Sequence, residues 1–131
     1  MTEISPGLQG IIERVVTKEV TAQHIGSGTV PVLATPMMIL AMEEAGHRAV
    51  ERFLAPSQST VGTMVNIRHL SATPLGMAFR AEADLLEVDG RRLRFRVAAF
   101  DAVEQIGAGE HERFIIDVAR FAERLNAKTA R

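Results

Sequence analysis

The sequence has no cysteine, almost no net charge and no long run of apolar residues. The absence of cysteine excludes disulfides, thiolate metal sites and a cysteine nucleophile, and it is compatible with a reducing cytosol. With 15 Lys and Arg against 16 Asp and Glu, the formal charge is −1. No global field would therefore recruit nucleic acid or an anionic membrane, and any anionic ligand must be bound by local groups.

Targeting and membrane signals are also missing from the pattern. The segment MTEISPGLQG is polar and acidic where a signal peptide would be basic and then apolar. No apolar run approaches the roughly 18 residues of a membrane helix. At 131 residues and 47% hydrophobic, the chain has the size and composition of one domain with one core. We expect a single domain over residues 1–131, located in the cytoplasm.

The apolar pattern predicts one strand, a loop and then one long helix. Residues 11–20, IIERVVTKEV, mix β-branched residues with charges, which is typical of a strand. Gly and Pro in residues 24–31 predict a loop. Thr35 is a typical N-cap, Pro36 suits the first helical position, and Pro56 closes the segment. The predicted helix has about five turns.

Four antiparallel strands in meander-like order are predicted after the helix. In the first of them, alternation places one set of residues on the inward face: Val61, Thr63, Val65, Ile67 and His69. In the next strand the inward set is Met77, Phe79, Ala81, Ala83 and Leu85. A three-residue turn, residues 88–90, then predicts that Ala83 pairs with Phe95. The last strand is expected over residues 108–121, with Phe114, Ile116 and Val118 on one side.

These elements predict an α+β fold in which one helix packs against one sheet. Residues 37–42 of the helix are apolar all round, so this part should be enclosed on every side. One sheet face cannot enclose a helix alone. A sheet that wraps the helix and a second subunit are the two physical options, and they are compatible.

The helix carries two adjacent glutamates with different environments. At 100° per residue, the apolar stripe contains Met42, Ala45, Gly46, Ala49, Val50 and Phe53. Glu44 lies opposite this stripe and faces water. Glu43 lies at its edge, where a partly buried carboxylate is a candidate base or nucleophile. The alternative is that Glu43 pairs with His47 one turn further on.

Thr35 and His69 each have a structural interpretation and a catalytic one. An N-cap role explains Thr35 without chemistry, yet a helix N-terminus also offers free N–H groups to a carbonyl oxygen that gains negative charge. His69 on an inward face is either a satisfied core histidine or a catalytic one. His24 and His111 have no partner pattern, and no metal-ligand spacing occurs among the histidines and acids.

Four blocks in order with consistent spacing resemble one family, the fluoroacetyl-CoA thioesterase group of hot-dog-fold thioesterases. They are VLATPMMILAMEEA, STVGTMVNIRHLSATPLG, VDGRRLRFRVAAFD and QIGAGEHERFII, within residues 10–125. The resemblance implies a hot-dog fold: an α+β homodimer, higher assembly remaining open, in which an antiparallel sheet wraps a central helix. It also implies an acyl-CoA thioesterase acting on a short or small acyl group.

Site residues follow from the resemblance position by position. It makes Thr35, Glu43 and His69 the catalytic set, and it makes Gly62 and Arg113 contacts of the acyl-CoA. No cofactor is implied, because coenzyme A is part of the substrate. The fluoroacetyl-specific member is similar except for a phenylalanine lid that falls near Thr29 here. No Phe occurs between residues 1 and 52, so a fluoroacetyl preference does not carry over.

Helix geometry adds a constraint of its own. Eight helical residues span about 12 Å, too far for Thr35 and Glu43 of one helix to share one carbonyl. We therefore expect that the two residues serving one substrate come from different subunits of a two-fold dimer. Glu43 and His69 would activate either water or the Thr35 hydroxyl, and the sequence leaves both routes open.

Two rival functions remain open at this level. A hot-dog acyl-CoA dehydratase would need an Asp–His pair, and no Asp lies in the helix or the following strand. A non-catalytic acyl-CoA-binding protein would bind the thioester without releasing thiol. Arg92, Arg94 and Arg96 could contact phosphates, but pairing with Glu82 and Asp84 on a solvated face is the preferred interpretation.

Overall fold

The long helix forms close to where its capping and proline signals predict it, but it begins one residue earlier than expected and ends at Glu51, before the end expected next to Pro56. In the computed structural model, which describes residues 3–130, helix α2 runs over Thr35–Glu51. Ala34 is the extended N-cap residue, and Thr35 and Pro36 lie in the first turn. The prediction that Thr35 caps the helix is wrong: its side chain makes no cap hydrogen bond. The Thr35 hydroxyl is therefore free for another partner.

The strands form one antiparallel sheet. Their bounds are β1 Gln9–Val15, β2 Gln58–His69, β3 Ala78–Asp89, β4 Arg92–Asp101 and β5 Gln105–Asp117. The order across the sheet is β1-β3-β4-β5-β2. The predicted meander holds for β3, β4 and β5, but β2 pairs with β5 and lies at the sheet edge. Alternation within a strand determines which of its faces is buried, but it does not determine which strands lie next to it.

The segment between β1 and α2 is more structured than predicted. The first strand ends at Val15, and a 3₁₀ turn over Lys18–Val20 occupies the rest of the expected strand. A short helix α1, Ala22–Ile25, lies at the start of the expected loop, and it ends where Gly26 adopts a φ of 90°. An L-residue with a side chain rarely adopts this left-handed conformation.

Small residues let the helix approach the sheet closely. Gly10 of β1 pairs with Ala83 of β3, and both face α2. A Cβ on Gly10 would overlap the backbone carbonyl oxygen of Ala45. The helix stripe is buried as predicted at Met42, Ala45, Gly46, Ala49 and Val50, whereas Phe53 lies beyond the helix and is half-buried. The core therefore lies between α2 and the side of β1, β3 and β4 that faces it.

The β3–β4 hairpin differs from the predicted register. Asp89 pairs with Arg92, so the turn contains Gly90 and Arg91 only, and Leu85 rather than Ala83 faces Phe95. A register shift between Leu85 and Glu87 inserts one extra residue into β3. A β-bulge of this kind restores the inward face that a two-residue turn would otherwise reverse.

Strands β2 and β5 also differ from the prediction. A bulge between Gly62 and Met64 interrupts the alternation of β2, and Thr63 and Val65, expected inside, are exposed in this chain. Strand β5 ends at Asp117, which caps helix α3, Val118–Thr129, by accepting a hydrogen bond from the Arg120 N–H. Phe114 and Val118, expected on the same side as Ile116, are exposed, whereas Ile116 is buried.

One chain does not enclose the apolar start of α2. Met38, Ala41 and Met42 are buried, but Leu40 remains 43% exposed. The covering of this face by a second subunit stays a prediction. Among the described residues, no helix is both long and apolar enough to cross a membrane.

Candidate active site

The first part of the site is a hydrogen bond between Thr35 and His69. The end of β2 places His69 beside the first turn of α2, and Thr35 Oγ1 lies 2.7 Å from His69 Nδ1. Thr35 itself is exposed, so a ligand can reach its hydroxyl. A hydroxyl and an imidazole at this distance are the arrangement that a base-activated nucleophile requires.

The other ring nitrogen of His69, Nε2, has an unusual environment. His69 Nε2 is buried and has no hydrogen-bond partner among the described residues. Burial lowers the pKa of His69 below its ordinary value, because a low-dielectric environment disfavours the charged imidazolium. A backbone hydrogen bond at Ser71 opposes this lowering of the pKa and does not outweigh it. The neutral imidazole is therefore favoured, and a buried nitrogen without a hydrogen-bond partner normally indicates a missing partner.

A cavity of about 380 Å³ opens beside this pair. Its lining is largely small or hydroxyl-bearing, and comprises Ala22, Ser27, Val32, Leu33, Thr35, His69, Leu70, Ser71 and Ala72. Among the described residues, no Phe side chain lines it. The Thr35 hydroxyl therefore opens onto a cavity that has room for a small group.

The helix end offers fewer backbone donors than the sequence suggests. The N–H groups of Met37 and Met38 both donate to the Ala34 carbonyl at 3.0 Å, and Pro36 has no N–H. Within residues 3–130, the Thr35 N–H has no backbone acceptor. One amide, rather than several, is thus available to a developing oxyanion.

The second part of the site surrounds Glu43. Glu43 Oε2 lies 3.6 Å from Arg113 Nη1 and 4.0 Å from His111 Nε2, and its side chain is 35% exposed. Glu43 is half-buried, as its place at the edge of the stripe predicted. The prediction that Glu44 faces water is wrong, because Glu44 is also half-buried and pairs with Arg14 at 2.9 Å. The alternative pairing of Glu43 with His47 is wrong, because His47 bonds Thr60 Oγ1 at 2.6 Å and Glu51 at 3.2 Å.

Gly62 is needed here for space. A Cβ at this position would lie 2.5 Å from Glu43 Oε2 and 3.2 Å from His111 Cε1. The absence of a side chain lets β2 pass directly over the carboxylate. Gly62 and Glu43 are thus adjacent, although 19 residues separate them in the sequence.

Arg113 is fixed from two sides and largely hidden. Its Nε donates to Thr60 Oγ1 at 2.8 Å, its Nη2 to the Thr60 carbonyl at 3.1 Å, and its Nη1 to His111 Nε2 at 3.1 Å. The residue is 8% exposed. A cavity of about 440 Å³ opens beside Glu43, His47, Thr60 and Arg113. The guanidinium therefore faces the carboxylate more than it faces solvent.

The structure divides the predicted set into two clusters. Thr35 and His69 form one, while Glu43, Gly62 and Arg113 form the other. They lie eight residues apart on α2, an axial separation of about 12 Å. Arg92, Arg94 and Arg96 join neither cluster, because they pair with acids on the outer sheet face.

Sequence reasoning missed two residues of the second cluster, His111 and Thr60. His111 is fully buried and lies two residues before Arg113, so both side chains point to the same sheet face. That period-two spacing was the available signal. The signal for Thr60 was absent, because its bond to Arg113 joins residues 53 apart.

A family model described as fluoroacetyl-CoA-specific thioesterase matches residues 16–119. The chain belongs to this family. A fluoroacetyl-CoA thioesterase from Streptantibioticus cattleyicolor is 41% identical over 98 residues, which are 75% of this chain and 70% of the relative. A solved structure of a fluoroacetyl-CoA thioesterase has 34% identity and a TM-score of 0.90, and covers 97% of this chain and 98% of the other.

Family membership confirms the predicted enzyme class, a thioester hydrolase. The predicted α+β hot-dog fold is also confirmed. A hot-dog-like protein from Thermanaerovibrio acidaminovorans, at 16% identity, superposes with a TM-score of 0.86 over 94% of this chain and 91% of the other. At that identity the likeness shows the fold alone.

Proposed function

We propose that this thioesterase-family protein hydrolyses a short or small acyl-CoA thioester to the free acid and coenzyme A. The single observation that supports this best is the 2.7 Å contact between Thr35 Oγ1 and His69 Nδ1 beside an open cavity. The fluoroacetyl-CoA thioesterases to which the chain is similar support an acyl-CoA substrate. No additional cofactor is proposed.

The Thr35–His69 contact favours attack by the Thr35 hydroxyl. As Thr35 Oγ1 bonds to the carbonyl carbon, His69 Nδ1 accepts the hydroxyl proton. The carbonyl oxygen gains negative charge next to the Thr35 N–H. The C–S bond then breaks, the thiolate of coenzyme A accepts the proton, and water later hydrolyses the acyl-Thr35 ester. Direct attack by water on the thioester, with Thr35 only orienting it, is the second route.

Glu43 enters this scheme from a second subunit. One chain holds Glu43 roughly 12 Å along the axis from Thr35, while Leu40 between them is 43% exposed and β2 presents a long sheet edge. In a two-fold homodimer with antiparallel α2 helices, Glu43 of one chain reaches the Thr35–His69 pair of the other. Glu43 then activates the hydrolytic water, and the buried His69 Nε2 gains a partner.

Gly62 and Arg113 both act on the carboxylate of Glu43. Gly62 leaves room for the Glu43 carboxylate, and Arg113 compensates its charge. The role that we propose for Arg113 is therefore close to the reacting thioester. A contact with the distant phosphates of coenzyme A is less compatible with a residue that is 8% exposed.

Release of free thiol from acyl-CoA esters of increasing chain length tests this function. We expect release with small acyl groups, and loss of release in Glu43→Gln and His69→Asn. Arg94→Gln, on the outer sheet face, serves as the matched surface control. Binding of acyl-CoA without thiol release would favour a carrier, and a dehydrated product would favour a dehydratase. Intact-mass analysis after rapid quenching separates the two routes, because only acyl-Thr35 leaves an adduct.

A further inference from the structure

Hydrogen-bond directions around His111 determine which of its nitrogens carries the proton. His111 Nδ1 lies 2.8 Å from the Met64 carbonyl oxygen, and a carbonyl oxygen can only accept. Nδ1 must therefore hold the hydrogen. On the other side, Arg113 Nη1 lies 3.1 Å from His111 Nε2, and a guanidinium can only donate. Nε2 must therefore present its lone pair.

This arrangement is compatible only with a neutral imidazole. Burial is the main cause that lowers the pKa of His111, and the neighbouring Arg113 charge lowers it further, against the opposing effects of the Met64 hydrogen bond, Glu43 and Glu112. A proton on Nε2 would also point an N–H group at the Arg113 N–H. His111 is fully buried, so solvent cannot screen that repulsion.

The held guanidinium faces the Glu43 carboxylate. Thr60 accepts from Nε and Nη2 of Arg113, and His111 accepts from Nη1. Nη1 is also the atom closest to Glu43 Oε2, at 3.6 Å. An arginine side chain has four rotatable bonds, so acceptors on both sides are what keep this nitrogen at the carboxylate.

We propose that His111 is a positioning residue for thioester hydrolysis, which fixes Arg113 and through it the carboxylate of Glu43. This inference rests on the proposed function, because it assumes that Glu43 acts on the substrate. Among the described residues, the polar contacts of the His111 ring are with Met64, Arg113 and Glu43, so it takes no part in proton transfer at Thr35. It acts as a fixed hydrogen-bond acceptor.

The protonation state can be tested without any activity. Two-bond ¹H–¹⁵N NMR spectra of the intact wild-type protein at neutral pH distinguish the two neutral tautomers and the imidazolium. The chain has 4 histidines, so the loss of one ring in His111→Gln assigns the signal. We expect a protonated Nδ1 and an unprotonated Nε2. An Nε2–H tautomer or an imidazolium would overturn the proposal.

Kinetics of two substitutions test the consequence for the reaction. His111→Leu removes the acceptor, and His111→Gln restores one with its amide oxygen. We expect kcat to fall about 100-fold in His111→Leu with KM nearly unchanged, because a displaced catalytic group affects the chemical step most. His111→Gln should lose less than about tenfold. Val97→Ala, a buried change in β4, controls for general loosening of the sheet.

The outcomes separate this inference from the function on which it rests. If His111→Leu and Val97→Ala hydrolyse the thioester equally well, or if KM rather than kcat changes, the positioning role is wrong. Failure of His111→Gln to restore kcat would contradict the acceptor role. If wild-type protein shows the expected tautomer but releases no thiol, the proposed function fails and takes the catalytic part of this inference with it.

Discussion

Thr35 Oγ1 and His69 Nδ1 lie 2.7 Å apart although 34 residues separate them in the chain. Two connections hold the segments that carry them. Leu33 N–H donates to the Thr73 carbonyl, which ties the residues before α2 to the loop after β2. Thr73 is buried, and its hydroxyl donates to Asp101 at 2.9 Å. The pair is therefore positioned by the folded chain before any substrate binds.

The first prediction concerns the hydroxyl of Thr35. Thr35→Ala removes the group that bonds His69, so we expect kcat to fall by at least about 100-fold. Thr35→Ser keeps the hydroxyl and should retain most of the activity. Because Thr35 is exposed and does not cap α2, neither change should lower the melting temperature appreciably. Steady-state thiol release and thermal melting measure the two effects, and equal activity of both variants would contradict a role for the hydroxyl.

The second prediction concerns the space over Glu43. A Cβ at Gly62 would lie 2.5 Å from Glu43 Oε2, and the tip of a flexible side chain can move away. Gly62→Ala should therefore displace the carboxylate and lower kcat roughly 10- to 100-fold, while the free energy of unfolding changes little. Wild-type kcat in this variant would show that the position of the carboxylate is unimportant.

Gly10→Ala is the matched control for Gly62→Ala. Its added Cβ would overlap the backbone carbonyl of Ala45, which cannot move without the helix. We expect the free energy of unfolding to fall by about 3 kcal/mol, in the range of overpacked cores. Chemical denaturation of the two variants should thus separate a change in the site from a change in packing. Equal destabilisation by both would contradict the distinction.

The third prediction concerns the pH dependence of stability. Burial lowers the pKa values of His69 and His111 in the folded chain, whereas both are ordinary in the unfolded chain. Between the lowered and the ordinary values, the unfolded chain binds protons that the folded chain does not. Lowering the pH through this window therefore favours unfolding. The free energy of unfolding should fall as the pH is lowered from about 7.5 to about 5.

Denaturant titrations at several pH values measure this slope. His111→Gln removes one of the two groups and should make the slope shallower. His24→Gln, at an exposed position, is the matched control and should leave it unchanged. An identical slope in wild type and His111→Gln would mean that burial of His111 has no part in the acid response.

The helix and its glutamate could be predicted because both depend on local rules. Pro36 located the start of α2 to within a residue, whereas the helix ends at Glu51, before the end expected next to Pro56. Helical periodicity placed Glu43 at the edge of the buried stripe. Strand pairing was harder. The bulges at Leu85–Glu87 and at Gly62–Met64 each shift the alternation by one residue, and a pattern of period two cannot show where such a shift occurs.

The sequence named part of the candidate site through the resemblance, and most of the contacts within the site were not predicted. The resemblance named Thr35, Glu43, His69, Gly62 and Arg113. Period-two spacing places His111 and Arg113 on one sheet face, but nothing local in the sequence joins either residue to β2. The bonds from Arg113 to Thr60 and from His111 to Met64 depend on the pairing of β2 with β5, a long-range feature. Helix α3 was not predicted for a simpler reason. Asp117 is a good N-cap, but the residues around it were interpreted as one continuous strand.

The last prediction tests whether one site uses two chains. Thr35→Ala and Glu43→Gln should each be inactive as homodimers. If Glu43 serves the Thr35–His69 pair of its partner, a mixed dimer of these variants contains one intact site and one doubly altered site. Random mixing makes half of the dimers mixed, so about a quarter of wild-type activity should return. If both residues of a site came from one chain, mixing would restore no activity, because the site of each chain would still contain one substitution. Thiol release after co-refolding equal amounts of the two variants, with each variant refolded alone as the control, decides between these outcomes.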